Sequence, residues 1–178
     1  MGVCFSFQND TVLNETIKCD EKLTNLQEKQ LKKVTLDETK QFSFEGMTVY
    51  GKVLSCYDGD TCRICFFYTN KLIQTNCRML GYDSPEMKLS SNTPNRIELK
   101  EAAIKARDRL INLVSSGISN FVKIKFSKND LYGRPLVDLY ITNIDGIDIH
   151  INNLMIFEGH GKPYNGKKKD KWSIIDLK

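Results

Sequence analysis

Between Asp58 and Glu86 the sequence reads DGDTCRICFFYTNKLIQTNCRMLGYDSPE, and the residues best suited to chemistry sit at its two ends. Asp60 closes an acidic turn, Asp58-Gly59-Asp60-Thr61, and Asp83 and Glu86 flank a second, Asp83-Ser84-Pro85-Glu86. Two carboxylates brought together offer hard oxygen ligands to a divalent ion; calcium, magnesium or manganese suits them and zinc does not. Arg78, just ahead of the second turn, and Arg134, further on, are planar forks that can grip a phosphate with two hydrogen bonds. Glu86 could take a proton from water or orient that water. Phosphodiester cleavage needs this combination: an activated water, a cation on the phosphate, and donors for the charge that grows on it. A lone Asp-Gly-Asp is most often only a turn. The set is far more specific than any member.

The elements must bring these residues together. Residues 61 to 68 place Cys62, Ile64, Phe66 and Tyr68 on one face of a strand. Residues 72 to 80 place Ile73, Thr75, Cys77 and Met79 on one face and Arg78 on the other, away from the core, where Arg134 is also expected. A polar turn at Thr69-Asn70 joins the two runs into a hairpin, which makes neighbours of its ends. Phe42-Ser43-Phe44 and Met47 to Cys56 read as earlier strands. Asn95 with Glu98 forms a capping box, Thr93-Pro94 being the alternative start, for a helix whose apolar stripe is Leu99, Ala103, Ala106, Leu110 and Leu113 and which Gly117 ends. Phe121 to Phe126 and Arg134 to Ile141 are later strands, and residues 151 to 158 a short helix stopped by Gly159. The fold class is therefore α+β, mainly β: a five-stranded Greek-key barrel of the OB type with inserted and C-terminal helices.

The whole chain narrows the setting. It has 178 residues, 40% of them hydrophobic, and a formal net charge of +4, a mild basic bias compatible with nucleic acid. Residues 42 to 166 form the domain, residues 1 to 41 an N-terminal extension, and residues 167 to 178 a basic tail whose lysines are read as solubilising. In the extension, Leu23, Leu26, Leu31 and Val34 roughly follow one helical face, so it is either a helix or a solvated tether. The six cysteines come without a secretory signal, and Cys62 and Cys65 form a lone CxxC inside a strand, so reduced thiols are expected rather than zinc. No stretch is long enough to span a membrane. The first residues, Met-Gly-Val-Cys-Phe-Ser, fit the N-myristoylation pattern with Gly2 as acceptor, and Cys4 is placed for palmitoylation. Those marks put the chain on the cytoplasmic face of a membrane and not outside the cell.

The motifs Tyr57-Asp58-Gly59-Asp60-Thr61, Arg78-Met79-Leu80-Gly81-Tyr82-Asp83-Ser84-Pro85-Glu86 and Tyr132-Gly133-Arg134-Pro135-Leu136, with Gly159 to Lys162 after them, resemble the staphylococcal nuclease (thermonuclease) family in order and kind. The likeness covers about Tyr50 to Tyr164. It implies an OB barrel and calcium-dependent hydrolysis of DNA and RNA, single-stranded or frayed by preference, with little sequence choice, by a monomer. It further implies Asp60 and Asp83 as metal ligands, with the Ser84 carbonyl third where the family usually has threonine. Asp58 would stand near the metal without ligating it. Arg78 and Arg134 would bind the scissile phosphate, Glu86 would be the base, and Tyr164 and Lys162 would touch substrate. Only one of the family's paired tyrosines is matched, by Tyr164, and with Lys178 last the family's final helix is short or missing. The acylation pattern ahead of such a domain resembles plant membrane-anchored members. The alternative is a non-catalytic nucleic-acid-binding OB domain tethered to a membrane, but such domains lose the acidic and arginine positions that are all present here.

Overall fold

Alternating side chains give the barrel its first sheet. The computed structural model describes residues 22–167 and 169–177. Strands β1 (Thr48–Cys56), β2 (Thr61–Tyr68) and β3 (Lys71–Met79) pair antiparallel in succession. Along β2, Cys62, Ile64 and Phe66 are buried while Arg63 and Phe67 are exposed, the period-two pattern of a strand with one face in a core. Burying a side chain the size of Phe66 contributes about 1.5–3 kcal/mol. The β2–β3 turn is Thr69-Asn70, both at positive φ, 47° and 63°. That is the type I′ pattern, whose twist matches the strands it joins.

After β3 the chain makes the two-residue strand β4 (Tyr82–Asp83) and then helix α2 (Arg96–Val114). Leu99, Ala103, Ala106, Leu110 and Leu113 are buried, as the stripe requires. The helix start differs from expectation. Asn95 is the N-cap, but its backbone is left-handed, φ 51°, and its side chain makes no capping bond, so no box forms with Glu98. Side-chain capping relies on an extended N-cap backbone, which aims the side chain at the first-turn amides. The helix ends at Val114 with Ser115 as cap, before Gly117.

Strands β5 (Val122–Asn129) and β6 (Pro135–Thr142) form the next hairpin. β5 returns to β1, with Tyr50 opposite Lys123, and β6 meets β3 in parallel, Arg78 opposite Leu136 and Met79 opposite Val137. The order β3-β2-β1-β5-β6, closed by β6 on β3, is a five-stranded mixed barrel. With the helices it is α+β, mainly β, and OB-like, as expected. β7 (Asp148–His150) adds to β6, helix α3 (Ile151–Phe157) follows, and β8 (Lys162–Pro163) pairs with β4.

The β3–β6 seam is short, and Asn152 of α3 fastens it. This side chain is 1% exposed. Its Oδ1 accepts from the Leu139 N–H at 3.0 Å, and its Nδ2 donates to the carbonyls of Leu80 and Val137, each at 2.9 Å. Phe42-Ser43-Phe44 is not a strand. Phe44 is buried by aromatic packing instead, with ring centroids 5.3 Å from Phe66 and 5.1 Å from Phe126.

The chain divides after Gln41. In the first part helix α1 (Asn25–Leu31) is shorter than the apolar spacing suggests, and Thr24 and Gln27 form its capping box. The acylation positions Gly2 and Cys4 lie outside the described residues. Cys56, Cys62, Cys65 and Cys77 are free, and burial pushes the Cys56 and Cys77 thiols up to about 12, which leaves them inert. Among the described residues no helix is long and apolar enough to cross a membrane.

Candidate active site

Two acidic turns and one strand residue build the site. In the first turn the Asp60 N–H donates to Asp58 Oδ1 at 3.1 Å, a local bond that favours aspartate in turns. The turn is clamped from three sides. Tyr82 Oη donates to the Gly59 carbonyl at 2.6 Å. A Cβ on Gly59 would lie 2.7 Å from Ala106 Cβ and 2.8 Å from Ser84 Cβ, so only glycine lets α2 and the second turn close on it. The Met79 N–H donates to the Asp60 carbonyl at 2.7 Å, tying the turn to β3. Tyr82 is itself held against Gly161, where a Cβ would fall 2.4 Å from its ring.

The second turn meets the first directly, the Ser84 N–H donating to Asp60 Oδ2 at 2.9 Å. Arg78 lies between them. Its Nη1 donates to Asp60 Oδ1 at 2.9 Å and its Nη2 to Asp83 Oδ1 at 2.7 Å. The hairpin thus does bring Asp60 and Asp83 together, onto one guanidinium. Arg78 does not face water, however: it is 7% exposed. The two turns cover this end of the polar face of β3, and the Tyr164 ring stands 5.6 Å from the guanidinium carbon.

The charge balance is unusual for a buried cluster. Asp60 is 2% exposed, Asp83 5% and Asp58 6%. Burial, then the neighbouring Asp58 charge, push the Asp60 carboxyl up to about 7, although Arg78 and the Ser84 N–H pull the other way. A buried carboxylate is costly unless it is paired. Two cations, Arg78 and Lys169, face the carboxyl groups of Asp58, Asp60, Asp83 and Glu86. Among the described residues Asp60 Oδ2 accepts only from Ser84, Asp83 Oδ2 has no partner, and the buried Ser84 Oγ has no hydrogen bond. These oxygens fit a hard divalent ion. Among the described residues no three His, Cys, Asp or Glu side chains gather as a metal cage. An ion held by Asp60 and Asp83 would complete its shell with water and other oxygens.

The other expected residues divide between rim and periphery. Glu86 is exposed, and its Oε1 receives Lys169 Nζ at 2.7 Å. Lys169 also reaches Asp83 Oδ1 at 2.6 Å. Burial works against the Lys169 ammonium, but its bonds to these carboxylates outweigh it and keep the group charged. Arg134 comes just before β6, two residues from Leu136, the partner of Arg78. It is not brought into the cluster. Its Nε and Nη2 bond Asp130 Oδ2 at 2.8 and 2.7 Å, and its guanidinium carbon stands 5.7 Å from the Tyr132 ring centroid. Burial pushes the Asp130 carboxyl up, but bonds from Arg134 and the Tyr132 N–H outweigh it and hold the group below the usual range. Tyr164 is at the site, its N–H on the Gly81 carbonyl at 2.9 Å. Lys162 turns away, pairing with Asp176 at 2.6 Å and standing 4.8 Å from the Trp172 ring centroid.

Sequence reasoning missed Tyr82, Asp130 and Lys169. Tyr82 stands inside the second motif and Asp130 two residues before the third, so a search for what orients the site could have found them. Lys169 gave no signal beyond a lysine run. A cavity of about 650 Å³ opens beside Asp83 and Glu86, with Pro85, Leu89, Leu99 and Trp172 among its walls. That volume accommodates a nucleotide-sized group against apolar surface. Compared with models of protein families and with curated proteins, the chain matches none.

Proposed function

We propose that the barrel is a calcium-dependent nuclease that hydrolyses phosphodiester bonds of DNA and RNA with little sequence choice. The observation that carries the reading is the buried pair Asp60 and Asp83 sharing Arg78, where the carboxyl groups of Asp58, Asp60, Asp83 and Glu86 outnumber the cations Arg78 and Lys169. The three motifs that resemble the thermonuclease family support it, as does the OB-like barrel that frames them.

Asp60, Asp83 and the Ser84 carbonyl would hold the ion. Bound there, calcium supplies Lewis-acid polarisation of a phosphoryl oxygen and neutralises charge on the phosphate; magnesium and manganese are the natural substitutes. Arg78 commits N–H groups to Asp60, Asp83 and, at 3.5 Å, the Tyr82 carbonyl, which leaves its Nε–H and one Nη1–H for a phosphate oxygen. Arg134 stands outside the cluster, keeps Nη1 uncommitted among the described residues, and would add a second grip on a substrate that reaches it. Glu86, exposed beside Asp83, takes the proton of the attacking water once Lys169 leaves it. Tyr164 packs on Arg78 and limits where the neighbouring nucleotide lies.

The test is plasmid and RNA degradation with and without chelator. Cleavage stops in excess chelator and returns with calcium but not with zinc, and Asp60→Ala and Asp83→Ala lose cleavage together with calcium binding. Undiminished cleavage in excess chelator overturns the reading.

A further inference from the structure

The segment after β8 folds back across the carboxylates. Lys169 Nζ sits 2.6 Å from Asp83 Oδ1 and 2.7 Å from Glu86 Oε1. Further along, Asp176 Oδ2 receives Lys162 Nζ at 2.6 Å, and the same lysine covers the Trp172 ring. Ser173 and Asp176 close the last turn by hydrogen bonds of 2.7 and 2.8 Å. Lys162 belongs to β8 and is paired in register with Asp83. The segment is thus fastened at two points to the ladder that carries a proposed metal ligand.

We propose that residues 169–177 form an autoinhibitory strap, in which the Lys169 ammonium takes the place of the divalent ion on Asp83 and is expelled when that ion binds. The inference rests on the metal reading of the site and adds how the site is regulated. Asp83 Oδ1 already accepts from both Arg78 and Lys169, so its lone pairs are filled. An ion on either oxygen of this carboxylate stands within a few ångströms of the ammonium, and like charges that close repel strongly away from bulk water. The buried Arg78 cannot leave cheaply. Lys169 can, because its side chain is 40% exposed, against 8% for Arg78, and reaches water without leaving a buried position. The same ammonium neutralises Glu86, so strap closure silences the base and the metal site together. Linkage is reciprocal: whatever calcium loses to Lys169, the strap loses to calcium.

The chain's single tryptophan, Trp172, lies on the strap, its indole N–H buried without a partner among the described residues, and so reports strap release. The experiment is calcium titration of the full chain by calorimetry and by tryptophan emission, for wild type, Lys169→Gln and Lys171→Gln. Lys171→Gln removes the same charge from the same segment, and no bond of the Lys171 side chain to either carboxylate is present. Lys169→Gln binds calcium on the order of tenfold tighter than wild type, Lys171→Gln binds as wild type does, and calcium shifts wild-type emission to the red. Equal affinity of wild type and Lys169→Gln, an equal gain in Lys171→Gln, or emission unmoved at saturating calcium overturns the strap while leaving the metal site standing. Absence of calcium binding in all three proteins overturns both.

Discussion

Arg78 and Arg134 are the same residue type with the same proposed task, yet the structure gives them different dependents. Removing Arg78 strands the buried Asp60 without its counter-charge and leaves the buried Asp83 with Lys169 alone. Breaking a buried pair in this way costs about 3–5 kcal/mol. Removing Arg134 strands only Asp130, which is nearer solvent and keeps backbone bonds from Tyr132 and Arg134 at 2.9 Å. Arg78→Ala should therefore lose stability as well as activity, and calcium should restore part of the stability by supplying the missing charge. Arg134→Ala should fold as wild type does and lose turnover by about a hundredfold. Urea unfolding of both variants, with and without calcium, beside a cleavage assay, separates them. If Arg78→Ala unfolds at the wild-type denaturant concentration without calcium, the carboxylates are not charged as described. Glu86 gives a third case. Glu86→Gln should lower turnover with little change in calcium affinity, and an affinity loss as large as that of Asp60→Ala would make Glu86 a ligand. Asp60, Asp83 and Arg78 were legible because short spacing and one hairpin decide who meets whom. Lys169 was not, because it meets Glu86 only through the path of the whole chain.

The barrel strands announce themselves by alternation, the inserted helix by its apolar stripe, and the β2–β3 turn by two polar residues between apolar runs. What alternation cannot show is how the ends are joined. The parallel β3–β6 seam comprises Arg78 with Leu136 and Met79 with Val137, residues far apart in sequence, and nothing local marks them as partners. Nor does anything mark Asn152 as the residue that bonds across the seam. Phe42 to Phe44 alternates as a strand should, but two aromatics can also be buried by packing on other rings, and that is what happens to Phe44. Asn95 has the right chemistry for a capping box and the wrong backbone for it. Asn152→Ala leaves the Leu139 N–H and the Leu80 carbonyl without their bonds to Asn152, a loss of about 1–3 kcal/mol for each buried group left unsatisfied. Because the seam carries Arg78, the same change should weaken calcium binding. The opposite experiment strengthens an element. Thr69, β-branched and at φ 47°, is held where L side chains are strained. Replacing Thr69-Asn70 by Asn-Gly should stabilise the fold by about 1 kcal/mol. A denaturation midpoint that fails to rise in that variant would mean the turn is not the strained I′ form.

At the scale of the molecule, the chain divides after Gln41, and the two proposed roles fall on either side of that division. The stretch before it has slightly more acidic than basic residues, so the chain's positive excess resides after it, in the barrel together with the lysine-rich tail, where nucleic acid is the proposed partner. The same balance bears on the N-terminus. One myristoyl chain on Gly2 holds a membrane only marginally, and stable attachment takes a second acyl chain or a polybasic patch. Residues 1–41 offer no such patch, which leaves Cys4 as the second signal. A graded outcome follows. Wild type should pellet with membranes, Cys4→Ser should divide between membrane and cytosol, and Gly2→Ala should leave the membrane fraction altogether. Cleavage by the extracted protein should be equal in all three, because Asp60, Asp83 and Arg78 are unchanged in each. The measurement is fractionation of cells expressing each form, with a nuclease assay on every fraction. Identical partition of wild type and Gly2→Ala would remove the anchor, and a loss of cleavage in Gly2→Ala would mean that the two parts of the chain do not work independently.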